Sequence, residues 1–305
     1  MAQPINIAIL GASGYTGAEL LRLLGQHPHA HIAALSGDSQ AGKPIGEVYP
    51  HLSHLPHTLK KPNEINYDEM DLVFCCLPHG TTQPILAALP GHVRIVDLSA
   101  DFRLHDPDIY AEWYGHAHQA PELQSQAVYG LPEWQREHIA ASRLIANPGC
   151  YPTCSLLALL PLVKSRLIDP ANIIIDAMSG VSGAGRKASQ SLLFTEVNES
   201  VKAYSVGGHR HVAEIEQEIT ALANQPVTLS FTAHLVPMNR GMSATIHVML
   251  KENAGAADLR ECLQYRYREE PFIEICAEGV IPTTAEVRGS NRCRIAVVDD
   301  RQPGK

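Results

Sequence analysis

Ile5-Asn6-Ile7-Ala8-Ile9-Leu10-Gly11-Ala12-Ser13-Gly14-Tyr15-Thr16-Gly17 sets an apolar run directly against a glycine-rich turn. An apolar run of strand length stops at a glycine, and a helical pattern starts within a few residues, over about 15–26. Leu20, Leu21, Leu23 and Leu24 supply its apolar face, and Gly25 and Pro28 end it. Glycines at i, i+3 and i+6 permit a tight turn and close backbone approach, while the N–H groups of the helix start face an anion such as a pyrophosphate. The common dinucleotide fingerprint spaces its glycines i, i+2 and i+5, so this is a variant. Its placement between strand and helix carries more weight than its letters.

Working outward, apolar runs at 32–35, 71–77, 93–98 and 143–146 alternate with helical stretches, the pattern of a parallel sheet with crossover helices. Residues 101–134, rich in Pro, His and aromatics, show no period and read as loop. Beyond residue 150 the rhythm changes. A helix over 152–164 leads to long strands at 172–178, 227–235 and 242–250, with helices at 211–223 and 256–268 to cover one face. The expectation is an α/β chain: a Rossmann-type dinucleotide-binding domain over 1–149, then an α+β catalytic and dimerisation domain with a large mixed or antiparallel sheet over 150–305. A strand-like run at 293–298 precedes Asp299-Asp300-Arg301-Gln302-Pro303-Gly304-Lys305, a hairpin turn without its second strand, which reads as a truncated chain.

Composition narrows the function class. A formal charge of −8 argues against nucleic-acid binding, which needs a concentrated basic surface. The N-terminal residues have no basic start and apolar core of a secretory signal, and apolar stretches such as 156–163 are too short to span a bilayer. Seven cysteines lack the spacing of a disulfide framework or zinc site and read as reduced thiols in the cytoplasm.

One of those thiols stands apart. In Asn147-Pro148-Gly149-Cys150-Tyr151-Pro152-Thr153, Cys150 lies at a helix start, where exposed N–H groups and the positive dipole end favour the thiolate that a covalent nucleophile needs. Cys154, one turn on, and Cys75 and Cys76, inside an apolar run, read as packed thiols. Sixteen histidines make any single one weak, but His209-Arg210-His211 opens a helix whose inward stripe is Ile215, Ile219 and Leu222. His211 falls on that stripe as the candidate general base, with His209 in reserve. Arg103, in a loop after the fourth strand, is either a bidentate grip for phosphate or carboxylate or half of a surface salt bridge. The run 179–187, Ser-Gly-Val-Ser-Gly-Ala-Gly-Arg-Lys, is either a flexible loop or an anion-binding nest. Ser36, Ser39 and Lys43 after the second strand suit the 2′-phosphate of NADP, whereas Asp38 would favour NAD if its carboxylate reached the ribose.

Taken together, Gly-Ala-Ser-Gly-Tyr-Thr-Gly at 11–17, Leu-Ser-Ala-Asp-Phe-Arg at 98–103, Asn-Pro-Gly-Cys-Tyr-Pro-Thr at 147–153, Ser-Gly-Val-Ser-Gly-Ala-Gly-Arg at 179–186 and Gly-His-Arg-His at 208–211 resemble the motifs of the N-acetyl-gamma-glutamyl-phosphate reductase family, relatives of aspartate-semialdehyde dehydrogenase. The resemblance implies that Cys150 is the nucleophile, that a histidine of 209–211 is the acid/base and that NADP(H) is the cofactor. It implies cofactor contacts at Gly11, Ser13, Gly14, Tyr15, Thr16, Gly17, Ser36, Ser182 and Gly183. Arg103 and Asn147 are then the expected contacts of an acyl-phosphate substrate and of the inorganic phosphate released. A homo-oligomer, dimer or tetramer, is also implied, together with a further strand and return helix after residue 305. The same chemistry on aspartyl phosphate or a carrier-bound acyl phosphate, a non-catalytic NADP-binding module, and a cysteine hydrolase are the rival readings.

Overall fold

A computed structural model describes residues 4–252 and 254–304. The chain divides into two compact units, Met1–Pro148 and Gly149–Lys305. Lys305, the last residue of the expected hairpin turn, lies outside the described residues.

The first unit contains strands β1 (Ile5–Leu10), β2 (Ala30–Ser36), β3 (Leu59–Lys60), β4 (Leu72–Cys75), β5 (Arg94–Asp97), β6 (Ala127–Tyr129) and β7 (Leu144–Ala146). Its helices are α1 (Tyr15–Leu24), α2 (Ile45–Val48), α3 (Gln83–Ala87), α4 (Pro107–Tyr114), α5 (Pro121–Gln124) and α6 (Pro132–Ala141). Among the described residues the strands form one seven-stranded sheet in the order β3-β2-β1-β4-β5-β7-β6, parallel at every pairing. The continuous apolarity of β1 has a direct cause. Ile7 and Ile9 enter one buried core with Leu21 of α1, and Ala8 and Leu10 enter a second core on the opposite face with Val73 and Ile95. A strand covered on both faces has no solvent side to make polar, and each fully buried Ile or Leu contributes about 1.5–3 kcal/mol. The chain leaves β1 towards β2 and β3, then returns to β4 on the other side, so the order reverses between β1 and β4. The carboxyl ends of such a pair form the ligand crevice of an open α/β sheet.

Two expectations need correction here. Leu23 is 57% exposed and is no part of the buried face of α1, which a period of 3.6 assigns to Gly17, Ala18 and Leu21. Residues 101–134 are not loop but hold α4, α5, β6 and the start of α6. The segment hides its period because buried polar residues share its interior with Phe102, Leu104, Tyr110 and Leu123. The Asp101 carboxylate accepts from Gly80 N–H at 2.7 Å, Thr82 Oγ1 at 2.8 Å and Tyr110 Oη at 3.1 Å. His118 Nε2 lies 2.8 Å from the Asp101 carbonyl, and Gln124 donates to the Leu104 carbonyl at 2.8 Å. Local stops do the rest: Asp106 caps α4 by accepting from Asp108 N–H, and Gly115 ends it in the left-handed region at φ 79°.

The second unit contains α7 (Cys150–Lys164), β8 (Ile168–Ser179), α8 (Phe194–Val197), β9 (Lys202–Tyr204), α9 (His211–Ala223), β10 (Ser230–Leu235), β11 (Met242–Leu250), α10 (Ala256–Tyr267), β12 (Ile273–Ile275) and β13 (Cys293–Ile295). Among the described residues the principal sheet has four strands, β11-β8-β10-β9, mixed in sense because β10 runs parallel to β8 while β9 and β11 pair antiparallel. Ile173, Ile175 and Ala177 of β8 face the core. Helix α7 is buried nearly all round, through Tyr151, Leu156, Leu157, Leu159, Leu160 and Val163, and packs chiefly on α9. A helix enclosed in this way holds its two ends fixed.

Candidate active site

In the first unit the glycine turn closes against β4. Gly11 has φ +77°, and a Cβ there would stand 2.6 Å from the Cys76 carbonyl oxygen; one at Gly17 would stand 2.5 Å from Ala12 Cα. Both glycines are therefore required by the chain's own packing. Gly14 is different, since a Cβ there would meet only the Gly11 oxygen, at an ordinary 3.4 Å. The N–H groups of Tyr15, Thr16 and Gly17 fall in the first turn of α1, where a helix supplies no acceptor of its own. Its N-cap, Gly14, makes no side-chain hydrogen bond, and no acidic residue occupies the first turn. A bare turn at a positive helix end fits a dinucleotide pyrophosphate. Replacing Gly11 with alanine is expected to destabilise the protein by roughly 1–3 kcal/mol and to weaken nucleotide binding. Denaturant unfolding and a fluorescence titration with NADPH measure the two effects.

Ser36 lies at the end of β2, against the glycine turn. It is fully buried, its Oγ accepts from Gly11 N–H at 3.1 Å, and its carbonyl accepts from Ala12 N–H at 2.7 Å. Its hydroxyl shapes the turn. Arg103 is likewise 6% exposed, donating to the carbonyls of Asn147 at 2.8 Å and Leu98 at 3.0 Å. The guanidinium ties the ends of β5 and β7 together. The Asn147 side chain turns back to the Pro148 carbonyl at 3.1 Å.

In the second unit Cys150 is exposed and is the first residue of α7, two positions earlier than the proline had marked the helix start. Cys154 is half-buried, and burial pushes its thiol up to about 12, which keeps it protonated. Over the N-terminus of α7 lies the ring of His211: a Cβ on Gly149 would stand 2.6 Å from His211 Nε2. His211 is the first residue of α9, and its N–H donates to His209 Nδ1 at 3.1 Å. Sequence left the two histidines open; the packing brings the His211 ring against Gly149 and makes His209 the acceptor at the start of α9. Burial first, then the charge of Arg210, lowers the His209 imidazole below its ordinary value. The walls are aromatic. Tyr151 packs edge-on to His209, His211 and Phe231 with ring centroids 5.4–5.8 Å apart, and its hydroxyl lies 3.0 Å from that of Tyr204.

The run 179–187 is not an open anion nest. Gly180, Val181 and Ser182 donate their N–H groups to the carbonyls of Gly241, Met238 and Asn239, and Gly183 donates to Gly180. With those donors engaged, the backbone of Ser182 and Gly183 has no fork of N–H groups to offer a phosphate.

The comparisons with known proteins follow this geometry. Residues 6–142 match the family described as semialdehyde dehydrogenase, NAD binding domain, and residues 150–305 match semialdehyde dehydrogenase, dimerisation domain. A probable N-acetyl-gamma-glutamyl-phosphate reductase, chloroplastic, from Oryza sativa subsp. japonica is 51% identical over 305 residues, covering 99% of this chain and 73% of that protein. The N-acetyl-gamma-glutamyl-phosphate reductase of Rhodospirillum rubrum is 51% identical over 311 residues, covering 100% and 88%. The chain belongs to the N-acetyl-gamma-glutamyl-phosphate reductase family. The fold is shared more widely: aspartate semialdehyde dehydrogenase II from Vibrio cholerae superposes with a TM-score of 0.73 at 18% identity, over 96% of this chain and 88% of that one.

Two acidic residues in this member of the reductase family escaped the sequence reading. Glu214 is 2% exposed, and its Oε1 accepts from Gly149 N–H at 2.7 Å. Glu218, one turn on, is buried as well and accepts from Gln217 Nε2 at 2.9 Å. A signal was present, since carboxyls at 214 and 218 flank the inward stripe of Ile215 and Ile219 on α9. Burial, opposed by Gln217 and aided by the charge of Glu214, pushes the Glu218 carboxyl from 4.5 up to about 7. Between those two values the folded chain holds a proton that the unfolded chain has lost. Stability therefore falls as pH rises through this window, by roughly 3 kcal/mol at most, and the whole cost is present above it. Glu218→Gln is expected to raise the unfolding midpoint at pH 8 and to change little at pH 4.5, as denaturant titrations at both values would show.

Among the described residues no helix is long and apolar enough to cross a membrane.

Proposed function

We propose that this protein reduces N-acetyl-L-glutamyl 5-phosphate to N-acetyl-L-glutamate 5-semialdehyde and phosphate with NADPH, through a thioester on Cys150, in arginine biosynthesis. One observation carries the reading: an exposed cysteine stands first on a buried helix, with an imidazole held over the residue before it. The relatives that align over nearly the whole chain bear names for this reaction.

The sulfur of Cys150 attacks the acyl carbon, the bond from that carbon to the phosphate oxygen breaks, and phosphate leaves with the electron pair. Helix-start N–H groups of α7 favour the thiolate that begins this step. The dinucleotide, held by the Gly11–Gly17 turn, supplies the hydride when bound. Return of the Cys150 thiolate then releases the aldehyde, and His211 handles the proton, with His209 supporting it from the start of α9. Arg103 sets the ends of β5 and β7.

The test runs the reaction backwards. Purified protein should reduce NADP with N-acetylglutamate semialdehyde only when phosphate is present. Faster turnover with aspartate semialdehyde, or hydrolysis without nucleotide, would replace this assignment by one of its rivals.

The same proposal includes a homo-oligomer and a reducing, cytoplasmic setting. Ile174 and Met178, on a central strand, are 43% and 44% exposed, so one face of the second sheet is open and partly apolar. The family description for this half of the chain names a dimerisation domain. Mass by light scattering, against 33.2 kDa for one chain, tests it. Among the described residues no cysteine is joined in a disulfide, which suits a reducing compartment.

A further inference from the structure

We propose that Glu214 is a positioning residue of this reaction: its buried carboxylate fixes the Gly149 N–H and so holds Cys150, at the head of α7, in register with His211. The inference rests on the assignment of Cys150 and His211 as the reacting pair.

Gly149 precedes the nucleophile and has no side chain with which to cap α7. Its N–H is satisfied from elsewhere, by Glu214 Oε1 at 2.7 Å. Glu214 belongs to α9, three residues after His211, and side chains at i and i+3 of a helix are neighbours. One rigid element therefore delivers both the imidazole and the anchor for the turn that carries the sulfur. Both contacts come from α9 and act on the same residue. Glu214 draws the Gly149 N–H towards α9, while the His211 ring, 2.6 Å from where a Gly149 Cβ would be, limits how close that residue can come.

Cost supports the assignment. Glu214 lies between Ala213 and Ile215, both buried, and is itself 2% exposed. A carboxylate in such a place is expensive to desolvate, and a leucine would pack there without that penalty. The cost is offset by a short charge-assisted hydrogen bond and by a negative charge at the positive end of α7. A mispositioned reacting group loses about a hundredfold in rate for an ångström of displacement, so a bond that sets this register acts on turnover more than on substrate affinity.

The experiment compares Glu214→Gln, Glu214→Asp and Glu214→Ala with the intact chain. It measures kcat, KM for the acyl phosphate, the rate of Cys150 alkylation by iodoacetamide across pH, and the circular dichroism spectrum. Glutamine keeps the acceptor oxygen and should retain kcat within about tenfold. Alanine should lose about a hundredfold in kcat with KM within about threefold, and its alkylation profile should move. If alanine prevents folding, aspartate decides, because it keeps the charge and shortens the reach: a reduced kcat at unchanged KM supports the role, and wild-type kcat overturns it. Normal kcat and an unmoved alkylation profile in a folded alanine variant overturn it too, as does a folded glutamine variant as impaired as alanine. Alkylation needs no substrate, so this readout tests the positioning role even if the intact protein fails to turn over N-acetylglutamyl phosphate, an outcome that would count against the substrate assignment alone.

Discussion

Replacing Cys150 with serine is expected to lower turnover at least about a thousandfold while leaving NADPH affinity within about twofold. The reason is chemical. A helix start favours the thiolate, the reactive form of cysteine, whereas a serine hydroxyl in the same place remains protonated and forms an ester that resists hydride. The volumes are close and position 150 is exposed, so folding should survive. Steady-state assays with the acyl phosphate, beside a fluorescence titration with NADPH, separate the two quantities. Serine activity within tenfold of wild type would remove the covalent route altogether, since no other thiol stands in the same setting: Cys154 is held protonated by burial.

Gly149→Ala should give the second largest effect, and its cause is purely steric. Gly149 has φ −64° and ψ 158°, an extended conformation that alanine adopts without strain. The added methyl carbon would nevertheless stand 2.6 Å from His211 Nε2 and 2.9 Å from its Cδ2 and Cε1. The imidazole cannot simply swing aside, because His209 and Tyr151 pack against it with centroids 4.8 and 5.8 Å away. A shift of about an ångström is forced, and kcat should fall about a hundredfold. Stability should fall by roughly 1–3 kcal/mol, since the methyl overpacks a site whose ring has no room to move and alanine is a poorer N-cap than glycine. Full activity in the alanine variant would show that the reaction does not need His211 in this place.

Much of the fold was legible in the chain itself. The Gly11 turn, α1 and the strands β1, β2, β4, β5 and β7 follow from apolar period and glycine placement, which are properties of contiguous residues. Residues 101–134 were illegible for the opposite reason: Asp101, His118 and Gln124 are buried among their apolar residues, and an interior of mixed polarity breaks the apolar period. The candidate site divides in the same way. Cys150 could be found because a Pro-Gly turn ahead of an apolar helix is a local signal. The backbone partners of Ser36 and Arg103 could not be found, because a hydroxyl and a guanidinium look alike in sequence whether they meet a ligand or the protein's own backbone.

By itself, then, the order of residues determined the parallel sheet, the dinucleotide turn and a cysteine at a helix start. Only the tertiary structure decided which histidine ring lies over Gly149, that Glu214 binds an N–H sixty-five residues away in sequence, and that Ser36 and Arg103 bind backbone. The physical reason is that backbone conformation is governed largely by near neighbours, whereas the partner of a buried polar group is chosen by which elements pack together. Here that choice was made when α9 closed on α7.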